Sequence, residues 1–476
     1  MNFGKRALMA GAVVLTLLAS GCGSSSSGDG GVGAFGGPNS GDIGRFPSSG
    51  GAGPGTGEPV PFAPGTELVS LSITPSPLHL YRGREQALTV QGVTADGSLV
   101  ALSGQPGVSL SVTPSSTSLL NVSSGAVLTP LARGNGSLDV TVTTPEGSLS
   151  GSVPFEVRRR LFVTHFGDDT LRALDAQTYT EVQSVALGGH PLAMYAHPPT
   201  DRLWVGVGNG QGIDVFNMAD LDQAPTEIGS PLSSYGYYSA LFNPFNNSVL
   251  WSHIELAGTA GTLQGYDATS LVELASSPQS APGIRTLKLE GAGNRVLSVT
   301  RDSAGPGLQI RDPNSLAVLD TVVTQQSTFD LPLGLVYDAQ NQCAYVGSEE
   351  VFMTDVSRII TVDLSGTPAI SAITTLPLPR GGSMAMAGDL VFISHFTSSA
   401  VSVYRTTTSG TPLAFERTLT VGASPSNLTV DPTLNRLLVS SEGTNSLYAF
   451  DLATLEPVAG SPFAVGTGPA SVVLEP

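Results

Sequence analysis

From Arg158 to the end of the chain, short apolar runs alternate with turn signals, and the alternation repeats. The stretch R-L-F-V-T-H-F-G-D-D-T-L-R-A-L-D at Arg160 aligns without a gap on R-L-W-V-G-V-G-N-G-Q-G-I-D-V-F-N at Arg202 and R-L-L-V-S-S-E-G-T-N-S-L-Y-A-F-D at Arg436. L-V-F-I-S-H-F-T-S-S-A-V-S-V-Y-R at Leu390 fits the same frame, and longer copies begin near Ser248, Arg295 and Gln342. The period is roughly 40–50 residues, the range of propellers and solenoids. Each unit reads as strand, turn, strand ending near Asp, turn, strand, then a Gly- or Pro-bearing loop and a fourth strand. Four short strands per repeat are the blade of a β-propeller. The first strand is apolar at consecutive positions, as in Leu203-Trp204-Val205, which suits a strand covered on both faces. The chain enters at a second strand and ends on G-T-G-P-A-S-V-V-L-E-P, so Ala470–Leu474 is expected to pair beside Leu161–Thr164 and close the ring.

Upstream the texture differs. Residues 67–157 carry period-two strands, L-V-S-L-S-I, A-L-T-V-Q-G-V, L-D-V-T-V and V-P-F-E-V, separated by A-D-G-S and R-G-N-G-S. That spacing predicts a β-sandwich. Residues 22–66 are dominated by Gly, Ser and Pro and predict a disordered tether with a mean reach of roughly 35 Å. Residues 1–21 hold Lys5 and Arg6, an apolar run from Ala7 and the small residues Ala19-Ser20-Gly21 before Cys22. The run is too short to span a bilayer, which takes roughly 20 residues, and reads as a removed signal peptide. The expected class is all-β: a sandwich followed by a seven-bladed propeller.

Three resemblances sharpen this. A-S-G-C resembles the bacterial lipobox, which implies acylation of Cys22, cleavage before it, and a lipid-anchored chain at the outer membrane or cell surface. S-L-S-I-T-P followed by L-L-N-V-S-S-G-A-V-L-T-P-L-A-R-G-N-G-S-L-D-V-T-V resembles the bacterial Ig-like domain of the Big_2 type, which implies a spacer or adhesive unit. Phe162-Val163-Thr164-His165 and Phe392-Ile393-Ser394-His395 stand where the YVTN propellers have Tyr-Val-Thr-Asn, and G-G-H-P-L-A-M-Y-A-H-P from Gly188 is similar to their innermost strand. That family is akin to lactonase-type propellers and specifies 158–476 as fold, without a catalytic residue to carry over.

Charge and chemistry narrow the function. A net charge of −17 with two lysines, Lys5 and Lys288, leaves no basic stripe and excludes nucleic acid as an expected partner. Of two cysteines, lipidated Cys22 leaves Cys343 alone, so no intrachain disulfide is expected. The Asp that ends the second unit strand, at Asp175, Asp267, Asp312 and Asp451, reads as a turn residue bonding its own backbone. His165, His253 and His395 share one repeat position at a loop mouth; His190, Arg285, Asp330 and Arg380 fall in the loops expected on the same face, and these seven are the candidate ligand-face residues. Equivalent residues on non-adjacent blades cannot converge on one ion, and no metal, cofactor or catalytic residue is expected. The expected role is a monomeric, membrane-anchored binding module for an envelope or extracellular protein, peptide or glycan. The alternatives are a lactonase-like hydrolase and a structural envelope scaffold.

Overall fold

Seven four-stranded antiparallel sheets follow one another from Arg160 to Leu474, each with its strands in sequence order except the first. The computed structural model describes residues 60–63, 65–208, 212–229, 236–254, 261–279, 284–291, 294–302, 305–324, 330–350, 356–407 and 411–476. The signal segment, Cys22 and nearly all of the tether lie outside the described residues. The innermost strands, Pro191–His197, Gly236–Asn243, Ile284–Glu290, Asp330–Asp338, Gly381–Ala387, Pro425–Asp431 and Pro469–Leu474, each pack on the next, and the last packs on the first. This closed ring makes a seven-bladed β-propeller.

The second strand of each blade carries the core. Leu161, Phe162, Val163, Leu203, Trp204 and Val205 are fully buried, because residues on both faces of the strand meet a neighbouring blade. Each such side chain contributes about 1.5–3 kcal/mol of burial. The innermost ring is also stitched by hydrogen bonds between blades. The backbone N–H of Leu287 donates to Ser239 Oγ at 3.2 Å, that of Leu428 to Ser383 Oγ at 3.3 Å, and that of Val472 to Asn427 Oδ1 at 3.3 Å.

The turn aspartates behave as their sequence context predicts. Asp175, Asp267, Asp312 and Asp451 each accept backbone N–H groups two and three residues on, at 2.6–3.1 Å. Four residues after each Asp stands a bulky residue in the left-handed region: Tyr179, Leu271, Leu316 and Leu455, with φ between 58° and 65°.

The first blade is completed by the end of the chain. Leu161 pairs with Leu474, Phe162 with Val473 and Val163 with Val472, as the sequence predicts. Glu475 then seals the seam. Its fully buried carboxylate accepts the Arg160 backbone N–H at 2.9 Å and the buried Arg160 guanidinium at 2.8 and 3.1 Å.

The upstream sandwich has two four-stranded sheets and a small three-stranded one around a single core that includes Leu78, Leu128, Leu138, Val140 and Phe155. Leu78–Tyr81 joins its sheet parallel to the C-terminal strand Gly147–Arg158. That strand ends one residue before the propeller strand Arg160–His165 begins. The two parts therefore meet without a linker.

Candidate functional site

A propeller offers two faces, and the sandwich occupies one of them. Tyr81 Oη donates to Asp175 Oδ2 at 2.7 Å, and Arg158 Nη1 donates to the same oxygen at 3.3 Å. Arg82 Nη2 reaches Asp201 at 2.7 Å and Glu475 at 2.8 Å. Gln177 Nε2 donates to Glu156 at 2.9 Å. Gly83, at φ +73°, sits so close that an added Cβ would lie 1.1 Å from the Ala219 carbonyl oxygen. The propeller residues in these contacts lie in turns at one end of the strands, here termed the lower face. Burial pushes the carboxyls of Asp175 and Glu475 up, but hydrogen bonds from Tyr81 and the nearby backbone for the first, and Arg160 and Arg82 for the second, outweigh it and hold both below their usual range.

A cleft of about 450 Å³ at this junction is lined by Arg82, Leu131, Arg133, Pro198, Asp201 and Pro476, among others. Its most buried charge, Arg82, is already committed to two carboxylates. Beside it, several residues that end the innermost strands are polar but already engaged: Asp338 and Asp431 accept backbone N–H groups of the turns that follow, Asn243 does the same for Phe245, and Glu290 accepts from Arg295 and Tyr337.

The upper face carries the hairpins between second and third strands and the loops before the innermost strands. The three histidines expected there lie beneath it. His165, His253 and His395 are fully buried, because the end of the second strand is still sandwiched between blades. His395 is held by the Pro379 carbonyl at 3.0 Å and Ser402 Oγ at 2.9 Å. His253 Nδ1 lies 3.4 Å from Thr262 Oγ1. His165 points its nitrogens toward the backbone of Val465 and Thr170 without completing a hydrogen bond of normal geometry. Burial lowers the pKa of His165 and His395, so both are neutral near pH 7. They act as struts.

His190 does reach the surface. It bonds Asp169 at 3.0 Å and stacks on Phe166 with ring centroids 4.3 Å apart. Arg380 is half-buried at φ 53°, and its carbonyl accepts the Phe396 N–H at 3.2 Å. Arg285 and Asp330 begin their innermost strands on this side, but their side chains lie outside the described residues. Among the described side chains, His165, His253 and His395 are buried apart on separate blades while His190 reaches the surface, and no group of three or more His, Cys, Asp or Glu among the described residues could hold a metal ion.

What the sequence reading passed over is the residue after each strut. Phe166 and Phe396 follow His165 and His395 and stand 40% and 39% exposed at the tips of equivalent hairpins. Their signal was the shared repeat register, H-F in both copies. On the innermost strand Ile284–Glu290, Lys288 is the sole lysine of the propeller, and burial lowers its pKa. Cys343 is packed as a small apolar residue.

No family model matches the chain, and no curated protein does. Solved structures do. A putative 6-phosphogluconolactonase from Bacteroides fragilis superposes with TM-score 0.53 at 11% identity, covering 67% of this chain and 98% of its own. Kuenenia stuttgartiensis hydrazine synthase gives 0.51 at 13%, covering 61% and 92%. A functionally unknown protein from Desulfotomaculum acetoxidans gives 0.50 at 12%, covering 66% and 98%. At such identities the likeness is one of fold, an all-β propeller.

Proposed function

We propose that the chain is an envelope lipoprotein, anchored through lipid on Cys22, whose propeller is a binding module that presents its upper face to an external protein, peptide or glycan. The observation that carries this reading is the docked sandwich. The chain reaches the propeller through the sandwich, and the sandwich is fixed to the lower face by Tyr81, Arg82 and Arg158. A tether entering there leaves the upper face, with its two exposed phenylalanines, directed away from the anchor. Exposed aromatic side chains held on rigid elements are the usual anchors of recognition surfaces.

A lactonase reading draws only on a likeness of fold. Turnover of a sugar lactone by the purified chain, lost on changing a residue of an innermost strand such as Lys288, would favour it over binding.

The test uses a photo-crosslinking amino acid introduced at Thr397 on the upper face or at Ala339 in a lower-face turn, both exposed, in intact cells. One dominant adduct from Thr397 and none from Ala339 is the expected result. Adducts from Ala339 alone, or from neither site, count against a binding role for the upper face. Cys22→Ser should move the protein out of the membrane fraction with its melting curve unchanged.

A further inference from the structure

Lys288 stands in the seam between blades four and five. It lies directly opposite Leu297, and directly opposite residues of an antiparallel pair share a face. Leu297 packs with Leu335, Ala344 and Val346 of blade five, so the Lys288 stem is directed at that blade. The residues two positions away on the same face point the same way: Thr286 Oγ1 donates to the Leu333 carbonyl at 2.8 Å, and Glu290 Oε1 accepts from Tyr337 Oη at 3.2 Å. At the other seams, the side chain two residues before the end of the innermost strand is either apolar, as at Leu241 and Val336, or matched to the next blade. Thr429 Oγ1 donates to the Val472 carbonyl at 2.8 Å, and the Tyr195 ring stacks on Phe242 with centroids 6.3 Å apart. Lys288 has no such match. Among the described residues its amine makes no hydrogen bond and pairs with no carboxylate.

Apart from Arg285 near the upper end, Lys288 is the only charged residue type between the ends of the innermost strands. Glu290, the carboxylate nearest in register, is committed to Arg295 Nε at 2.7 Å and to Tyr337. Tyr337 is a neutral phenol near pH 7, because burial first and then Glu290 push its pKa up to about 12. An ammonium taken out of water without a counter-charge gives up its proton more readily, and burial does lower the pKa of Lys288. The residue nevertheless keeps part of its surface open. Blades three and five cover its strand on either side and the second strand of its own blade lies behind it, so the open side is the axis enclosed by the ring of innermost strands. A desolvated amine with an unoccupied lone pair is placed to attack a carbonyl carbon. The seam around it is apolar and offers no free counter-charge, which suits a small, uncharged reaction partner.

We propose that Lys288 is a nucleophilic amine that condenses with small uncharged aldehydes reaching it along the propeller axis. The nitrogen lone pair adds to the carbonyl carbon, a proton passes from nitrogen to oxygen to give a carbinolamine, and loss of one water leaves an imine. The C=O bond is exchanged for C=N, and no oxidant or reductant is consumed. This chemistry is independent of what the upper face binds.

The experiment is reductive trapping of the full chain with acetaldehyde at pH 7. Cyanoborohydride reduces any imine to a stable secondary amine, and digestion followed by mass spectrometry reads Lys288, Lys5 and the terminal amine separately. The reference is the same chain in guanidinium chloride, where Lys288 is an ordinary solvated amine. Lys288 should be alkylated roughly tenfold faster or more in the folded chain, the factor that one unit of pKa supplies. That advantage should shrink as the pH is raised toward about 10.4, the ordinary lysine value. Glyoxylate, a small aldehyde bearing a carboxylate, should show a smaller ratio of folded to unfolded rate than acetaldehyde does. Trapping at Lys288 that is no faster in the folded chain, an advantage that is undiminished at high pH, or a larger ratio for glyoxylate overturns the proposal. The crosslinking result at Thr397 is read on another face, so either outcome there leaves this test standing by itself.

Discussion

At the scale of single residues, the most repeated device is an aspartate that fixes a strained turn. Leu316 sits at φ 59° yet is almost wholly buried, and a bulky residue in the left-handed region costs about 1–2 kcal/mol. The cost is offset locally by the Asp312 carboxylate, which takes the N–H groups of Asn314 and Ser315 at 3.0 and 2.7 Å, and by burial of the leucine. Removing the carboxylate leaves the strain without its support, so Asp312→Ala should lower the midpoint of denaturant unfolding with its slope unchanged. Asp214 is the opposite case. Burial first, and then Glu227 directly across the strand pair, push its pKa up to about 6. A carboxyl raised in the folded state contributes stability that is whole below the unfolded value near 4 and is lost as pH rises through about 6. Asp214→Asn should therefore stabilise the protein by up to roughly 2 kcal/mol at pH 8 and change little at pH 4. Equal effects at both pH values would show that ionisation is not the cause.

At the scale of elements, closure of the first blade depends on one buried ion cluster. Glu475 serves the closing strand, the entering strand through Arg160, and the sandwich through Arg82. Truncating it would strand the fully buried Arg160 charge, a loss of about 3–5 kcal/mol. Glu475→Ala should lower the melting temperature of the propeller and the sandwich together, and separate transitions with only one shifted would show that they are not coupled here. How much of this was legible differs by element. The pairing of the last strand with Leu161–Val163 could be read because a consecutive apolar run such as Leu161-Phe162-Val163 admits few placements, and a blade missing a strand demands one. The struts could not. A histidine closing a buried strand and one displayed on a loop look alike in a repeat alignment; His165 and His395 are inside because neighbouring blades cover the last residue of the strand, a fact of packing with no local signal. Phe166 and Phe396 were passed over for the converse reason, since an isolated phenylalanine between strands reads as core.

At the scale of the whole molecule, the sandwich changes meaning. Its sequence resembles a spacer module, yet it runs into the propeller through Arg159 alone and places Arg82 and Tyr81 against the closing blade. Within the unit Gly55–Pro476, it fixes which face is covered. That docking also carries an acid sensitivity. The depressed pKa of Asp175 and Glu475 means their stabilisation is present above the ordinary carboxylate range and is lost as pH falls through and below it, so the junction is firm near neutrality.

The central claim is that sandwich and propeller form one rigid body with the upper face left free, and a spin–spin distance measurement reaches it most directly. Gly125 in the sandwich and Gly366 in blade five each have open space where a Cβ would stand, and Cys343 is buried, so Gly125→Cys and Gly366→Cys can be labelled together in a chain carrying Cys22→Ser. A single narrow distance distribution, broadened when Arg82→Ala and Tyr81→Phe are combined, is the predicted result. A broad distribution in the otherwise unaltered labelled chain would contradict the docked arrangement and, with it, the presentation of the upper face.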